Sequence, residues 1–597
     1  MEQHDGGRLR GQRREEHVRS RPGEVWLVGA GPGDPGLLTI RGRETLERAQ
    51  VVVHDRLANP DLLRLAPRAR FIDVGKSPDG RGYRQEEINR LLVDLAREGN
   101  LVVRLKGGDP FIFGRGGEEA LALVSAGIPF RVIPGVTAAS GCAAWAGVPL
   151  THRGLASSLA LVTGHEDPGK APQVDWRKLA TATDTLVVYM GVGRLNEIVE
   201  GLLAGGRRAE EPALLVQHGT RATQKVVRGT LADLPARARE EGVEPPALLV
   251  VGEVATLRDR LAWYEGLSLS GCRVALTRPR VAFAEAVADA FAEAVPAAWD
   301  LAEWRLAGAE VEVYHVLRLE PPRDPAELQQ GARQAGRFRW VLFTSAPGVE
   351  AFFRALGQQG ADARVLAGCR VGAVGPGTAG ALERHGVRPD LLPQPYTVDA
   401  LVREVCRELA PGDRVLLPRS DLAPSQAGPL LRAGAAEVRE VVAYRTLPDP
   451  EEAERLARDM EAGRVDALVL TSASAARAAA EAAQAAAEGT RGAGGAVRAA
   501  AGGAGGPTGA GVAGAGREPA GEGAGDVEPP LAEGAAAPVA GLPLVVAIGP
   551  VTARACREAG WRVAAEAATH DRAGLLQAVI QAWRRHRSAC RVAVTPE

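Results

Sequence analysis

Residues 104–119 read Arg-Leu-Lys-Gly-Gly-Asp-Pro-Phe-Ile-Phe-Gly-Arg-Gly-Gly-Glu-Glu. The apolar run Leu101–Leu105 leads into this stretch as a buried strand. The strand ends at Gly107-Gly108, where the missing Cβ atoms let a ligand approach the backbone. Asp109 then presents a carboxylate beside Pro110. Arg104, Lys106 and Arg115 gather positive charge on a chain that is otherwise balanced, with 73 acidic and 72 basic residues among 597. Alone, the stretch could equally be a strand-end turn with a solvated run of charges, so its neighbours matter.

Upstream, Val25–Gly36 reads VWLVGAGPGDPG, a strand followed by a glycine-rich turn. A pyrophosphate cradle carries GxGxxG at the start of a helix. Here Gly29, Gly31 and Gly33 are followed by Asp34 and Pro35. A carboxylate at that point repels phosphate, which favours a loop around a non-phosphate or cationic ligand. Apolar runs at Val51–Val53, Leu159–Val162, Thr185–Met190, Ala213–Gln217 and Ala247–Val251 alternate with amphipathic stretches as far as Tyr264. That alternation indicates buried strands in an α/β architecture.

The rest of the composition excludes several classes. A chain of this length holds about three to five domains, and its balanced charge gives no global field for nucleic acid or an anionic membrane. The six cysteines, at 142, 272, 369, 406, 556 and 590, form no CxxC pair. This argues against a zinc site or a disulfide scaffold and suits a reducing cytoplasm. Val132–Thr151 and Ala535–Ala553 are uncharged over about the length of a membrane span, but Gly and Pro interrupt both. Residues 1–24 are polar and lack the apolar core of a signal peptide, and are read as a disordered tail. Between Gly489 and Gly541, 38 of 53 residues are Gly, Ala or Pro. This segment is predicted to be a disordered insert between a helix at Ala475–Glu488 and a strand at Leu544–Ile548.

Three further motifs follow the opening pair: Val132-Ile-Pro-Gly-Val-Thr-Ala138, Val162-Thr-Gly-His165 and Val188-Tyr-Met-Gly191. In this order the set resembles the tetrapyrrole methylases, most closely the uroporphyrinogen-III C-methyltransferases, over roughly residues 25–265. The resemblance implies an S-adenosylmethionine cleft between two α/β subdomains, held by Pro32, Gly107, Gly108, Asp109, Ile112, Thr137, Ala138, Met190 and Gly219. It also implies that Asp55 is a proton acceptor, Lys76 a proton donor and Arg104 a substrate arginine. His54 stands where the family often has Tyr. These residue types fit the chemistry. A methyltransferase mainly aligns donor and acceptor, a methylated pyrrole carbon must later lose a proton to a base, and Arg104 and Arg115 suit a substrate with eight carboxylates. His152 with Arg153, and Arg81 with Arg84, are weaker candidates.

The second zone contains a recurring form. Val341–Ser345 and Leu468–Ser472 are apolar runs ending in Thr-Ser, while Val371–Thr378 and Val546–Thr552 end in Gly-Pro-x-Thr. Two copies of a similar α/β unit are expected. With Arg273–Pro279 and Val442–Thr446, this order resembles uroporphyrinogen-III synthase over residues 271–597. That resemblance implies two lobes, 271–313 with 450–595 and 322–440, joined by a two-stranded ladder. It implies cofactor-free ring closure, with Tyr444 assisting the departing water and Thr378, Thr552, Ser345 and Ser472 contacting substrate. Two departures from the family are the lengthened Pro296–Leu306 segment and Pro424, where Arg is common.

The expected protein is therefore α/β, a two-subdomain methylase followed by a two-lobed synthase. It would cyclise hydroxymethylbilane to uroporphyrinogen III and methylate that to precorrin-2, towards sirohaem or cobalamin. The alternative is a methylase for a later corrin precursor, with a non-catalytic tetrapyrrole-binding or regulatory second half. S-adenosylmethionine is the expected methyl donor. The expected partners are the tetrapyrrole substrates, with no metal, nucleic acid or membrane, and a homodimer through the methylase half.

Overall fold

The computed structural model describes residues 23–75, 82–164, 174–281, 301–422, 427–434, 437–500 and 542–594. Lys76, Arg81, His165, Pro424, residues 1–22 of the tail, 296–300 of the lengthened segment and 501–541 of the insert lie outside them. The chain divides into two compact units, Met1–Gly271 and Cys272–Glu597.

Among the described residues the first unit holds ten strands: β1 (Glu24–Gly29), β2 (Val51–His54), β3 (Arg70–Asp73), β4 (Leu101–Lys106), β5 (Phe130–Ile133), β6 (Leu159–Thr163), β7 (Thr185–Tyr189), β8 (Pro212–Gln217), β9 (Lys225–Thr230) and β10 (Ala247–Val251). They form two sheets, ordered β3-β2-β4-β1-β5 and β6-β7-β10-β8-β9. The first sheet is parallel throughout. Its inner strands are correspondingly near-continuous apolar runs, with Val25, Leu27, Val28, Val52, Val53, Val102, Val103 and Leu105 fully buried. The second sheet is mixed, with β6 and β7 parallel and the other pairs antiparallel. β1 begins at Glu24, so the predicted disordered tail is too long by at least Gly23 and Glu24. Backbone bonds from Gly23 and Glu24 to Ala96 and Asn100 fix this start. Val132–Thr151 is the end of β5, a turn and the helix Ala138–Trp145.

The second unit holds β11 (Arg273–Thr277), β12 (Arg280–Val281), β13 (Glu310–Tyr314), β14 (Leu317–Glu320), β15 (Trp340–Phe343), β16 (Arg370–Ala373), β17 (Arg414–Ser420), β18 (Glu437–Pro448), β19 (Ala467–Leu470), β20 (Leu544–Ala547) and β21 (Val563–Glu566). One sheet runs β13-β11-β19-β20-β21, the other β12-β14-β18-β17-β15-β16. The repeat in the sequence appears as geometry. β15 and β16 are parallel neighbours in one sheet, β19 and β20 are parallel neighbours in the other, and each strand leads into a helix. β14 and the end of β18 form the antiparallel ladder, with Leu317 opposite Pro448 and Glu320 opposite Arg445.

One expectation needs correcting. The helix beginning at Ala473 runs to Ala500, so Gly489–Ala500 is helical, not the start of a disordered insert. Propagating an existing helix avoids the cost of nucleation, and the helix continues although four of these twelve residues are Gly, each about 1 kcal/mol less favourable than Ala.

Candidate active site

Register places the first constellation. Gly29 pairs with Lys106 and Val28 with Ile133, so β4, β1 and β5 end level and their loops leave the sheet side by side. This is the carboxyl edge of a parallel sheet, where ligands of α/β proteins bind. Gly31 and Gly108, at φ +76° and +67°, exchange backbone hydrogen bonds of 3.2 and 2.8 Å. A Cβ on Gly135 would lie 2.2 Å from the Gly108 carbonyl oxygen, so these loops meet backbone to backbone and only glycine fits.

Asp109 knits them together. It is 8% exposed; its Oδ1 accepts from Phe111 N at 2.8 Å and its Oδ2 from Gly135 N at 3.0 Å. The carboxylate thus holds the β4 loop to the β5 loop through two backbone donors.

Residues of the second sheet close on the same edge. Leu248 opposes Tyr189 and Ala247 opposes Gln217, so β7 and β8 end together and release Met190 and His218–Thr220 at one place. The Tyr189 hydroxyl accepts from Ala139 N at 2.8 Å and shares a 2.6 Å hydrogen bond with Thr137 Oγ1. Its ring packs on Phe113 with centroids 4.9 Å apart. Asp34 N donates to Thr220 Oγ1 at 3.0 Å. A Cβ on Gly141 would come within 2.6 Å of Pro32 Cγ, and one on Gly219 within 2.5 Å of Cys142 Sγ. Pro32, Thr137, Ala138 and Gly219 therefore converge on the helix Ala138–Trp145, and burial pushes its Cys142 thiol up to about 12. Ile112 and Met190 project partly exposed side chains from the neighbouring loops.

Backbone strain is concentrated here too. The non-glycine residues with left-handed φ among the described residues are Phe113, Arg115, Met190, His218 and Thr220. All lie in the loops after β4, β7 and β8. Each such conformation costs on the order of 1–3 kcal/mol and persists where the surroundings over-determine it, typically at functional sites.

Beside the glycines lies a buried charge network. β2 runs next to β4 with His54 opposite Leu105, which carries Asp55 to the end of the sheet. Arg104 Nη2 faces Asp55 Oδ2 at 3.5 Å. Arg104 Nε donates to Glu119 Oε1 at 3.1 Å and Lys106 Nζ to the same oxygen at 2.7 Å. Burial, with Arg104 alongside, pulls the Lys106 ammonium below its ordinary range. Asp55 Oδ1 accepts from Leu57 N at 3.2 Å, leaving the carboxylate anchored yet 28% exposed. Arg115 is not part of this network. It lies exposed, paired in bidentate fashion with Glu118 at 2.7 and 2.8 Å.

Sequence reasoning missed Glu119, Asn59, Tyr189 and Thr220. Glu119 and Leu123 are i, i+4 on one helical face, so the apolar Leu123 marks Glu119 as inward-facing. Asn59 precedes Pro60, a turn signal, and donates from Nδ2 to the Gly33 carbonyl at 2.7 Å.

In the second unit, Ser345 and Tyr444 come together. Tyr444 lies buried on β18, its hydroxyl 3.1 Å from Ser345 Oγ, with Ser420 as its register partner on β17. Burial pushes this phenol up. Ser345 additionally caps the helix Ala346–Gly357, accepting from Gly348 N at 3.2 Å. Thr378 is buried in the first turn of the helix after β16, in the same sheet. Thr552 occupies the matching turn after β20, and Ser472 caps the helix after β19 by accepting from Ala475 N at 3.1 Å. The latter two stand on the other sheet.

Two sheets whose loops meet over backbone-exposing glycines make the first unit a two-subdomain α/β unit with its candidate site at that meeting. Residues 24–235 match the family Tetrapyrrole (Corrin/Porphyrin) Methylases, and residues 301–504 match Uroporphyrinogen-III synthase HemD. The porphyrin biosynthesis protein HemD of Ruminiclostridium josui is 35% identical over 453 residues, covering 76% of this chain and 87% of that one. The siroheme synthase of Azotobacter vinelandii is 55% identical over 245 residues, which are 41% of this chain and 53% of the relative. This chain thus spans about half the length of the siroheme synthases it matches. A crystal structure of the uroporphyrin-III C-methyl transferase of Thermus thermophilus with S-adenyl homocysteine shares 46% identity, covering 39% of this chain and 100% of that one, at a TM-score of 0.35. The chain belongs to the tetrapyrrole methylases and carries a uroporphyrinogen-III synthase HemD segment behind the methylase. Among the described residues no helix is long and apolar enough to cross a membrane.

Proposed function

We propose that this chain closes hydroxymethylbilane to uroporphyrinogen III and methylates that product twice with S-adenosylmethionine, giving precorrin-2 for sirohaem or cobalamin formation. The observation that carries the methylase half is the Asp55–Arg104 ion pair of 3.5 Å at the end of the same strands that carry Gly107 and Gly108. A base and a carboxylate-binding cation stand beside a backbone cradle, which is what a donor–acceptor alignment on a polycarboxylate requires. The donor would be held by Pro32, Gly107, Gly108, Ile112, Thr137, Ala138, Met190 and Gly219. Asp109, whose two carboxylate oxygens accept from backbone donors, suits a sulfonium cation and would repel a phosphate. When bound, the donor supplies an electrophilic methyl group. Asp55 would accept the ring proton and Lys76 would donate one, while Arg104 would bind a substrate carboxylate. A homodimer through the first unit and a cytoplasmic location complete the proposal.

For the second half, the Tyr444–Ser345 hydroxyl pair, with Ser420 beside it on β17, can donate a hydrogen bond to the departing hydroxyl of the bilane. A hydroxyl donor held in place is suited to that task. Thr378, Thr552 and Ser472 would contact substrate. The test is isomer analysis of the ring-closed product. The wild-type chain gives the type-III isomer, whereas Tyr444→Phe slows closure and raises the share of type I, which forms without inversion of the last ring. Wild-type isomer ratios in Tyr444→Phe would remove Tyr444 from ring closure. A chain yielding only type I would end the synthase reading.

A further inference from the structure

The charge network beside Asp55 contains a group to which the proposed reaction gives no role. Glu119 lies on the helix Gly116–Ser125 and is 0% exposed. Its Oε1 accepts from Arg104 Nε at 3.1 Å, Lys106 Nζ at 2.7 Å and Gln85 Nε2 at 3.3 Å. Its Oε2 is buried and has no hydrogen-bond partner among the described residues. Such a network is a poor stabilising device, because a buried ion cluster is commonly matched or exceeded by apolar residues of the same volume, and an unanswered buried oxygen makes it worse. Its geometry, however, does something an apolar cluster cannot. The Arg104 guanidinium is pinned at Nε by Glu119 and at Nη1 by the carbonyls of Val53 (3.3 Å) and Leu105 (3.2 Å). These bonds leave Nη2 directed at Asp55. Charge points the same way: Asp55 and Glu119 balance Arg104 and Lys106, and without Glu119 two buried cations would compete for Asp55.

We propose that Glu119 is a positioning residue for methyl transfer, acting through Arg104 to fix the guanidinium against Asp55 and holding Lys106 off that carboxylate. This inference rests on the proposed methylase reading. Glu119 is fully buried against Arg104 and Lys106, so its loss is expected in turnover and not in donor binding.

The test uses the full chain with uroporphyrinogen III and S-adenosylmethionine. Rates are normalised to the fraction of protein that binds S-adenosylhomocysteine by calorimetry, so partial unfolding does not count as lost turnover. Glu119→Gln, which keeps volume and an acceptor but not charge, is expected to lower normalised kcat by about 10–100-fold, the cost typical of a misplaced reacting group, with unchanged affinity for S-adenosylhomocysteine. In a double-mutant cycle, Arg104→Gln with Glu119→Gln should be no slower than Arg104→Gln alone. A wild-type normalised kcat in Glu119→Gln, or losses that multiply in the double variant, overturns the inference. So does the absence of any donor-binding fraction in both Glu119→Gln and Glu119→Asp, which makes Glu119 part of the scaffold. If the wild-type chain itself transfers no methyl group to uroporphyrinogen III, the methylase reading fails instead.

Discussion

Asp55→Asn is expected to lower the rate of methyl transfer by about 10²–10⁴, the usual contribution of a general base. Asn retains the acceptor that Leu57 N bonds at 3.2 Å and closely matches the shape of Asp, so the loop after β2 should keep its course. What it loses is the ability to take up a proton and the charge opposite Arg104. Donor affinity should change little, because the donor cradle is built from other loops. Single-turnover methylation alongside calorimetry with S-adenosylhomocysteine separates the two effects. A rate near wild type would remove Asp55 from proton transfer.

Asp109→Ala should have the opposite signature, a loss in binding. Its two carboxylate oxygens answer the N–H groups of Phe111 and Gly135. Leaving buried donors unpaired costs about 1–3 kcal/mol each, and here the cost falls on the two loops that form the cradle. Affinity for S-adenosylmethionine should fall by at least about tenfold, measured by calorimetry. Ring closure by the same protein should remain, because the hydrophobic clusters of the two units are built from separate stretches of chain. Unchanged donor affinity would mean that the ligand lies elsewhere.

How much of this was readable in the chain depended on burial. In the first unit the inner strands β1, β2, β4, β7, β8 and β10 appear in the sequence as apolar runs because both their faces are covered. The strands that escaped are β3, β5 and β9, each at the edge of its sheet, whereas the fourth edge strand, β6, is apolar enough to read as one. Arg70–Asp73 (RFID) has exposed ends and Lys225–Thr230 (KVVRGT) has polar ones, so neither carries a continuous apolar signal. The glycine motifs and the charges of residues 104–119 fall together at one sheet edge, since glycine and buried charge are tied to local backbone needs. The partners that complete the site were not legible. Tyr189 reaches Thr137 and Ala139 from fifty or more residues away, and no local pattern encodes such a contact. At Gly489–Ala500 the composition points to disorder, because it carries no sign that the helix nucleated upstream continues through it.

One chain that both closes the ring and methylates the product makes a direct prediction. The purified chain is given hydroxymethylbilane, with or without S-adenosylmethionine, and the products are separated by isomer-resolving chromatography and weighed by mass spectrometry. Without the donor uroporphyrinogen III is the expected end product, and with it a species carrying two added methyl groups. An unmethylated product in both arms, or type-I isomer as the product without donor, would contradict this.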